Sequence, residues 1–253
     1  MTFAVYAQFG KARHFTDAVV AGFPGRVRNI EPGRLARDCI HVLGGLQFGV
    51  LELMQEIWAK KEPYIFFDRA YFAGGTYSQQ IRLTRGAYQK HWIEPGAESG
   101  RLRRWGVYLE PWRPAGDFLM VVPPSPAVEK LFGIEGWLES TLHRLRGCIR
   151  RIVVSPKEDR NKSPLLERLE GCHAVVTWSS NVAVEAIVAG IPAFVSPFSA
   201  ARPVAGALEE LDIENPPRPA REAWAASLAW GQFTVDEIAG GFAREYLMER
   251  QPA

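Results

Sequence analysis

The sequence has only three cysteines, Cys39, Cys148 and Cys172, and they stand far apart. There is no C-x-x-C, and an odd number of isolated thiols argues against a disulfide framework. A reducing, cytoplasmic setting is therefore expected. The five histidines, at positions 14, 41, 91, 143 and 173, show no metal-ligand spacing, and H-E-x-x-H is absent. No metal site is expected; a divalent ion could assist but is not indicated. The Walker P-loop, G-x-S-x-G and G-x-G-x-x-G are missing as well, and the last absence weighs against a nicotinamide enzyme. No apolar run approaches the roughly 20 residues that span a bilayer. The opening MTFAVYAQFGKARHF lacks a basic stretch ahead of its apolar run, so neither a signal peptide nor a membrane partner is expected. A formal net charge of only +2 announces no nucleic-acid partner by bulk charge.

The 253 residues suffice for one large domain or two small ones, and 47% hydrophobic with 23% charged residues is ordinary for a globular chain. The basic residues are biased: 23 of the 30 are Arg. Arg suits planar, bidentate recognition of phosphate and carboxylate better than Lys does.

Apolar runs and helical periodicities alternate along the chain. Phe3 to Gln8, Val27 to Ile30, Cys39 to Leu43 and Tyr64 to Phe67 read as strands, and Lys11 to Ala21 and Leu46 to Lys61 as helices. Such alternation implies an α/β fold with parallel sheets. Gly44-Gly45, after a strand and before a helix, could admit a ligand or simply make a turn. The stretch Asp68 to Arg113 breaks the pattern. It holds eight basic residues against four acidic ones, with eight aromatics interleaved. Arg for phosphates and aromatics for stacking compose a nucleic-acid surface; a solvated insertion is the alternative. Within it Arg69, Arg82, Arg85, Arg101, Arg103, Arg104 and Trp105 are the candidate nucleic-acid contacts. In an extended GRLRRWG segment Arg101 and Arg103 would share a face. Alternation resumes at Asp117, so a domain boundary is placed near Gly116, giving domains 1–116 and 117–253. Helices are expected over Val128 to Leu145, from Pro203 to Leu211, over Arg221 to Leu228 and over Val235 to Met248. The third of these precedes a capping box at Thr234 and Glu237.

The most informative stretch is CHAVVTWSSNVAVEAIVAGIPAFVS, Cys172 to Ser196. Ala174 to Trp178 is an uninterrupted apolar run of the kind found in buried parallel strands. Ser179, Ser180 and Asn181 are N-cap residues, so a helix begins near Val182, and Gly190 and Pro192 end it. A helix N-terminus with hydroxyls beside it can hold a phosphate. Glu185, one turn in, could accept hydrogen bonds from a ribose diol. A structural α/β unit with an ordinary cap explains the same residues.

This arrangement of Thr177, Ser179, Ser180, Asn181, Glu185, Gly190 and Pro192 resembles the donor-nucleotide half of GT-B glycosyltransferases and the related UDP-sugar 2-epimerases. The loop Ser196 to Ala205, with Arg202, resembles the segment that touches the nucleotide in those families. It lacks the acidic residue that the epimerases carry before the Arg-Pro pair, which makes epimerase chemistry less expected. The resemblance covers roughly residues 117 to 211. It implies two Rossmann-like domains, an N-terminal acceptor domain and a C-terminal donor domain whose last helices cross back. The implied activity is hexosyl transfer from a nucleotide sugar, expected to be a UDP-sugar co-substrate, with no permanently bound cofactor. Lys157 and Arg160, past the strand Arg150 to Ser155, would help stabilise the leaving group; a solvated loop is the alternative. Asp68, at the end of a buried strand, is the first choice for the base, with His91 and Asp17 behind it. The D-x-x-Y-F and R-x-T-R-x-x-Y-Q patterns resemble phage-type proteins, for which the acceptor would be duplex DNA carrying a hydroxymethylated pyrimidine and the setting the host cytoplasm. A glycan or small-molecule acceptor, or a non-catalytic nucleic-acid-binding module, are the competing readings.

Overall fold

The computed structural model describes residues 2–6, 13–47, 49–72, 80–156 and 164–251. The chain opens with β1 (Phe3–Tyr6), α1 (Arg13–Gly22), β2 (Gly25–Arg28), β3 (Ile40–Gly44), α2 (Val50–Lys60), β4 (Tyr64–Arg69) and β5 (Gln80–Arg85). There follow α3 (Gly100–Arg104), β6 (Phe118–Val122), α4 (Pro126–Phe132), α5 (Trp137–Arg144), β7 (Arg151–Val154), α6 (Leu165–Arg168), β8 (Cys172–Thr177), α7 (Asn181–Val188), β9 (Ala193–Val195), β10 (Gly206–Ala207) and α8 (Glu222–Ala229). β11 (Gln232–Thr234), α9 (Val235–Ala239) and α10 (Phe242–Arg250) close it.

These elements form two compact units, Met1–Gln89 with Gly231–Ala253, and Lys90–Trp230. Residues 90–116 group with the second unit, whereas the sequence placed them in the first. The basic-aromatic stretch is thus divided between the units rather than inserted as one piece.

The first unit holds a six-stranded sheet in the order β11-β5-β4-β3-β1-β2. β1 to β4 run parallel, and β5 and β11 are antiparallel additions. Every residue of β1 and β3 is buried, which explains why both strands are apolar apart from His41. The core joins Phe3, Val5, Val19, Val42, Ile65 and Leu83 to Phe233, Ile238 and Leu247 from the chain's end. Each such side chain contributes about 1.5–3 kcal/mol by its burial. Thr234 and Glu237 form the capping box that starts α9.

The second unit holds a five-stranded sheet, β10-β9-β8-β6-β7, parallel throughout. Leu119, Val121, Ala174, Val176 and Phe194 meet Trp137 and Leu145 on one of its faces. Three expected helices are shorter or broken. The 128–145 pattern divides into α4 and α5 because Gly133 and Gly136 adopt left-handed backbone between them. The 235–248 pattern divides at Gly240-Gly241. After Pro203 there is only a 3-10 turn and the two-residue β10.

A strap of residues 110–113 closes the end of α7. Glu110 N–H donates to Val188 O at 2.9 Å and Arg113 N–H to Gly190 O at 2.7 Å. Arg221 is 5% exposed, donates to the carbonyls of Ile187 and Glu110, and lies 4.0 Å from the Trp112 ring centre. The carbonyls of Ile187 and Val188 at the end of α7, and of Gly190 just past it, are thereby met by a guanidinium and two amides instead of water.

Each unit also buries one neutral histidine. In the first, Tyr6 and His41 Nδ1 are 3.1 Å apart, and the Tyr6 oxygen accepts from Ala36 N–H. In the second, His173 contacts Ile213 O through Nε2 at 2.8 Å and accepts Gly116 N–H at Nδ1. Burial pushes both imidazoles below their ordinary pKa. The unfolded chain therefore binds more protons below the free-histidine value, near 6.5. The stability from the neutral rings is present above that pH and is lost as the pH falls below it toward the folded values. Urea midpoints are expected to fall between roughly pH 7 and pH 5, by at most about 1.4 kcal/mol per histidine per pH unit. His41→Leu should flatten that dependence; an unchanged profile would show that His41 does not titrate on unfolding.

Candidate functional site

In the second sheet β6 and β8 lie side by side, yet the chain leaves β6 for β7 on one side and returns across it to β8. That reversal opens a crevice at the carboxyl ends of the two strands, where open α/β sheets bind ligands. Thr177 ends β8; its buried hydroxyl donates to Val122 O at 2.7 Å and ties the two strand ends together. Thr177 is thus a structural clamp of the edge. Ser180 is the N-cap of α7 and accepts from Val182 N–H at 3.3 Å. Ser179 beside it is buried, and Asn181 opens the helix. Glu185 sits half-buried in the second turn. The amides of the first turn and the positive dipole end point out of this edge.

The loop after β9 borders the same edge. Ser196 N–H donates to Trp178 O at 3.0 Å, and the Ser196 and Ser199 hydroxyls accept from Phe198 and Ala201 N–H. Arg202 is half-buried, 3.5 Å from Ala205 O. Three aromatics gather here that sequence reasoning did not single out. Phe132 lies 4.8 Å from Phe198 and 5.8 Å from Trp178, centre to centre. Trp178 immediately follows β8 and Phe198 stands three residues past the end of β9, positions at the strands' carboxyl ends that could have drawn attention to them. Lys157 and Arg160 lie outside the described residues.

In the first unit Asp68 lies within β4, not past its end, and faces Arg82 across the β4–β5 pair. Its carboxylate is 3.2 Å from the Arg82 guanidinium and also accepts Arg69 N–H at 2.8 Å. Arg82 is 3% exposed, with its guanidinium 5.3 Å from the Tyr71 ring centre and 5.6 Å from that of Tyr88. Burial works against its charge, but Asp68 and the two phenols more than offset this, and its pKa stands above the ordinary value. Burial and the nearby carboxylate push the Tyr88 phenol up, so it stays neutral. Gly44 has a packing role: a side chain there would collide with the Phe67 ring. His91 belongs to the second unit, half-buried and edge-on to Trp92 at 5.4 Å. Asp17 is exposed on α1.

The nucleic-acid surface needs correction. Arg82 is consumed by Asp68 and the tyrosines. Arg101 is 4% exposed, donates to Ala229 O at 3.0 Å, and stacks between Trp105 and Trp230. Trp105 donates to the same carbonyl. Arg85 donates to Met248 O. GRLRR is helical in α3, so Arg101 and Arg104, not Arg101 and Arg103, come one turn apart. Arg103 and Arg104 are exposed, with Arg103 bonded to Ser99, and Arg69 is half-buried. No group of three or more His, Cys, Asp or Glu that could hold a metal occurs among the described residues, and no described helix is long and apolar enough to cross a membrane.

The two parallel-rich units, each with a carboxyl edge at a strand-order reversal, make this a two-domain, Rossmann-like fold of the GT-B kind. No protein-family model matches the chain, and no curated protein sequence does. Among solved structures, the β-Kdo 2,7-transferase of KpsC from Thermosulfurimonas dismutans is similar, with a TM-score of 0.54 at 13% identity over 97% of this chain and 99% of that one. The β-Kdo 2,4-transferase of KpsC from the same organism aligns with a TM-score of 0.54 at 11% identity over 90% of each chain. Identities this low establish likeness of fold.

Proposed function

We propose that the chain is a glycosyltransferase that moves a sugar from a nucleotide-activated donor to a hydroxyl acceptor. The observation that carries this reading is the N-terminus of α7, with Ser179 and Ser180, at the strand-order reversal of a fold similar over 97% and 90% of this chain to two sugar transferases. The first-turn amides and dipole would take up the charge that develops on the departing nucleotide phosphate. Glu185 would hold the ribose, and Asp68 would take the acceptor proton. A UDP-sugar is the donor we test first, and Kdo, which the two similar enzymes transfer, is the sugar to test beside glucose. For the acceptor we favour a glycan or other small hydroxyl compound over duplex DNA with a hydroxymethylated pyrimidine, because Arg82 and Arg101 are buried.

A ligand held by the native state raises its melting temperature. A panel of UDP, CMP, GDP and ADP is expected to include at least one that stabilises the full chain. Glu185→Ala should then weaken that nucleotide roughly tenfold to hundredfold, the worth of hydrogen bonds to a carboxylate. Calorimetric titration reads this directly. A folded Glu185→Ala chain with wild-type affinity removes the ribose role, and a panel without any shift overturns the donor site itself.

A further inference from the structure

We propose that Trp224 is a positioning residue of the donor site: by holding the loop of residues 196–204, it fixes where Phe198 and Arg202 stand near the N-terminus of α7. This role rests on the glycosyltransferase reading above. Pro197 and Phe198 are exposed and Arg202 and Pro203 half-buried, while Ser196, Ser199, Ala200 and Ala201 are fully buried and Val204 nearly so. The loop therefore packs inward through small residues and offers outward one ring, one guanidinium and two prolines. Its own hydrogen bonds span only three residues each: Ser199 N–H to Ser196 O at 3.2 Å, Arg202 N–H to Ser199 O at 3.0 Å and Val204 N–H to Ala201 O at 3.0 Å. Such turns set the curvature of the loop but not its place against the sheet.

Two contacts anchor it. The bond from Ser196 N–H to Trp178 O ties its start to the residue two before the N-cap Ser180. In its middle, the Trp224 indole N–H donates to Ala200 O at 2.8 Å. Trp224 is 1% exposed and Ala200 0%, so neither group can turn to bulk water if the other is lost. Trp224 lies in α8, whose Ala225, Ala226 and Ala229 are buried and let the helix approach closely. Arg221, three residues earlier, meets Ile187 O at the carboxyl end of α7. The start of α8 thus grips both elements that border the crevice. A loop held in its binding shape loses no further freedom when the ligand arrives, whereas a loop that samples other shapes binds in proportion to its competent fraction.

Calorimetric titration of the full chain, with whichever of UDP, CMP, GDP and ADP stabilises it, tests this. Trp224→Phe should weaken that nucleotide about threefold to tenfold, the worth of one neutral hydrogen bond. Benzothienylalanine at position 224 keeps the shape of the indole without its N–H; it should give the same loss, and it decides if Trp224→Phe does not fold. In a Phe198→Ala/Arg202→Ala chain, which lacks both side chains the loop presents, the same change at position 224 should have no effect. Without nucleotide, amide exchange in the position-224 variants should quicken about tenfold at Arg202 and Val204 and stay unchanged at Val175 in β8. Wild-type affinity in the benzothienylalanine chain, a full loss that persists in the Phe198/Arg202 double variant, or unchanged exchange at Arg202 and Val204 would each overturn the proposal alone. A wild-type chain that binds none of the four nucleotides overturns the donor reading and this role with it.

Discussion

Asp68→Asn is expected to bind the stabilising nucleotide like the wild type and to lose sugar transfer by about a hundredfold to ten-thousandfold, the usual worth of a general base. The amide is nearly the same shape but cannot take a proton. The geometry adds a second consequence. Asp68 also neutralises Arg82, which is 3% exposed between Tyr71 and Tyr88. Removing the carboxylate leaves a buried guanidinium with a weaker partner, a loss of about 1–3 kcal/mol once the 28% exposure of the Asp68 side chain is allowed for. Activity and stability separate the two roles. Asp68→Asn combined with Arg82→Met removes both charges, so it should regain stability without regaining transfer. Release of nucleotide from the donor, followed beside urea unfolding, reads both. Near wild-type transfer in a folded Asp68→Asn chain would take Asp68 out of the mechanism and leave it as the counterion of Arg82.

The largest structural effect is expected from Gly190→Val. Gly190 has φ +81°, and a Cβ there would lie 2.1 Å from Pro111 O. A β-branched residue is strained by that backbone whatever the space, and here it also drives the strap off α7. The strap's amides, the two carbonyls held by Arg221 and the stacked Trp112 would all lose their partners together. A loss above about 4 kcal/mol follows, in the range that marks broken buried networks. Arg221→Ala breaks the same junction from the other side and should cost less, about 2–4 kcal/mol, because the backbone stays unstrained. Urea titration followed by tryptophan fluorescence measures both. If Gly190→Val unfolds at the wild-type midpoint, the strap does not contribute to the stability of α7.

The parts of the molecule that were readable in advance are those governed by near neighbours. Ser180 caps α7 because its hydroxyl reaches an amide two residues on, and Thr234 and Glu237 answer each other across three. β1, β3, β6 and β8 are apolar on both faces of the pleat except at His41, His173 and Thr177, because both sheet faces are covered, so most of their burial is written in composition. Breaks at Gly133, Gly136 and Gly240-Gly241 follow the same logic, although the periodic apolar pattern around them concealed that each makes two helices.

What the linear chain could not show is where each cation ends. Arg101 and Arg103 are alike in sequence, two residues apart in a basic loop. One is buried against a carbonyl 128 residues on and two indole rings, and the other is exposed. Arg82 is drawn into the first unit by a carboxylate on the facing strand, and β5 itself is fixed by pairing with β11, 150 residues away. The sequence by itself determined the alternation that makes two Rossmann-like sheets and the capped helix at the second sheet's edge. The tertiary structure alone decided which arginines face solvent and which hydroxyls are already committed. The physical reason is range: caps and periodicity act within a turn or two, whereas desolvation of a charge depends on every surface that closes over it.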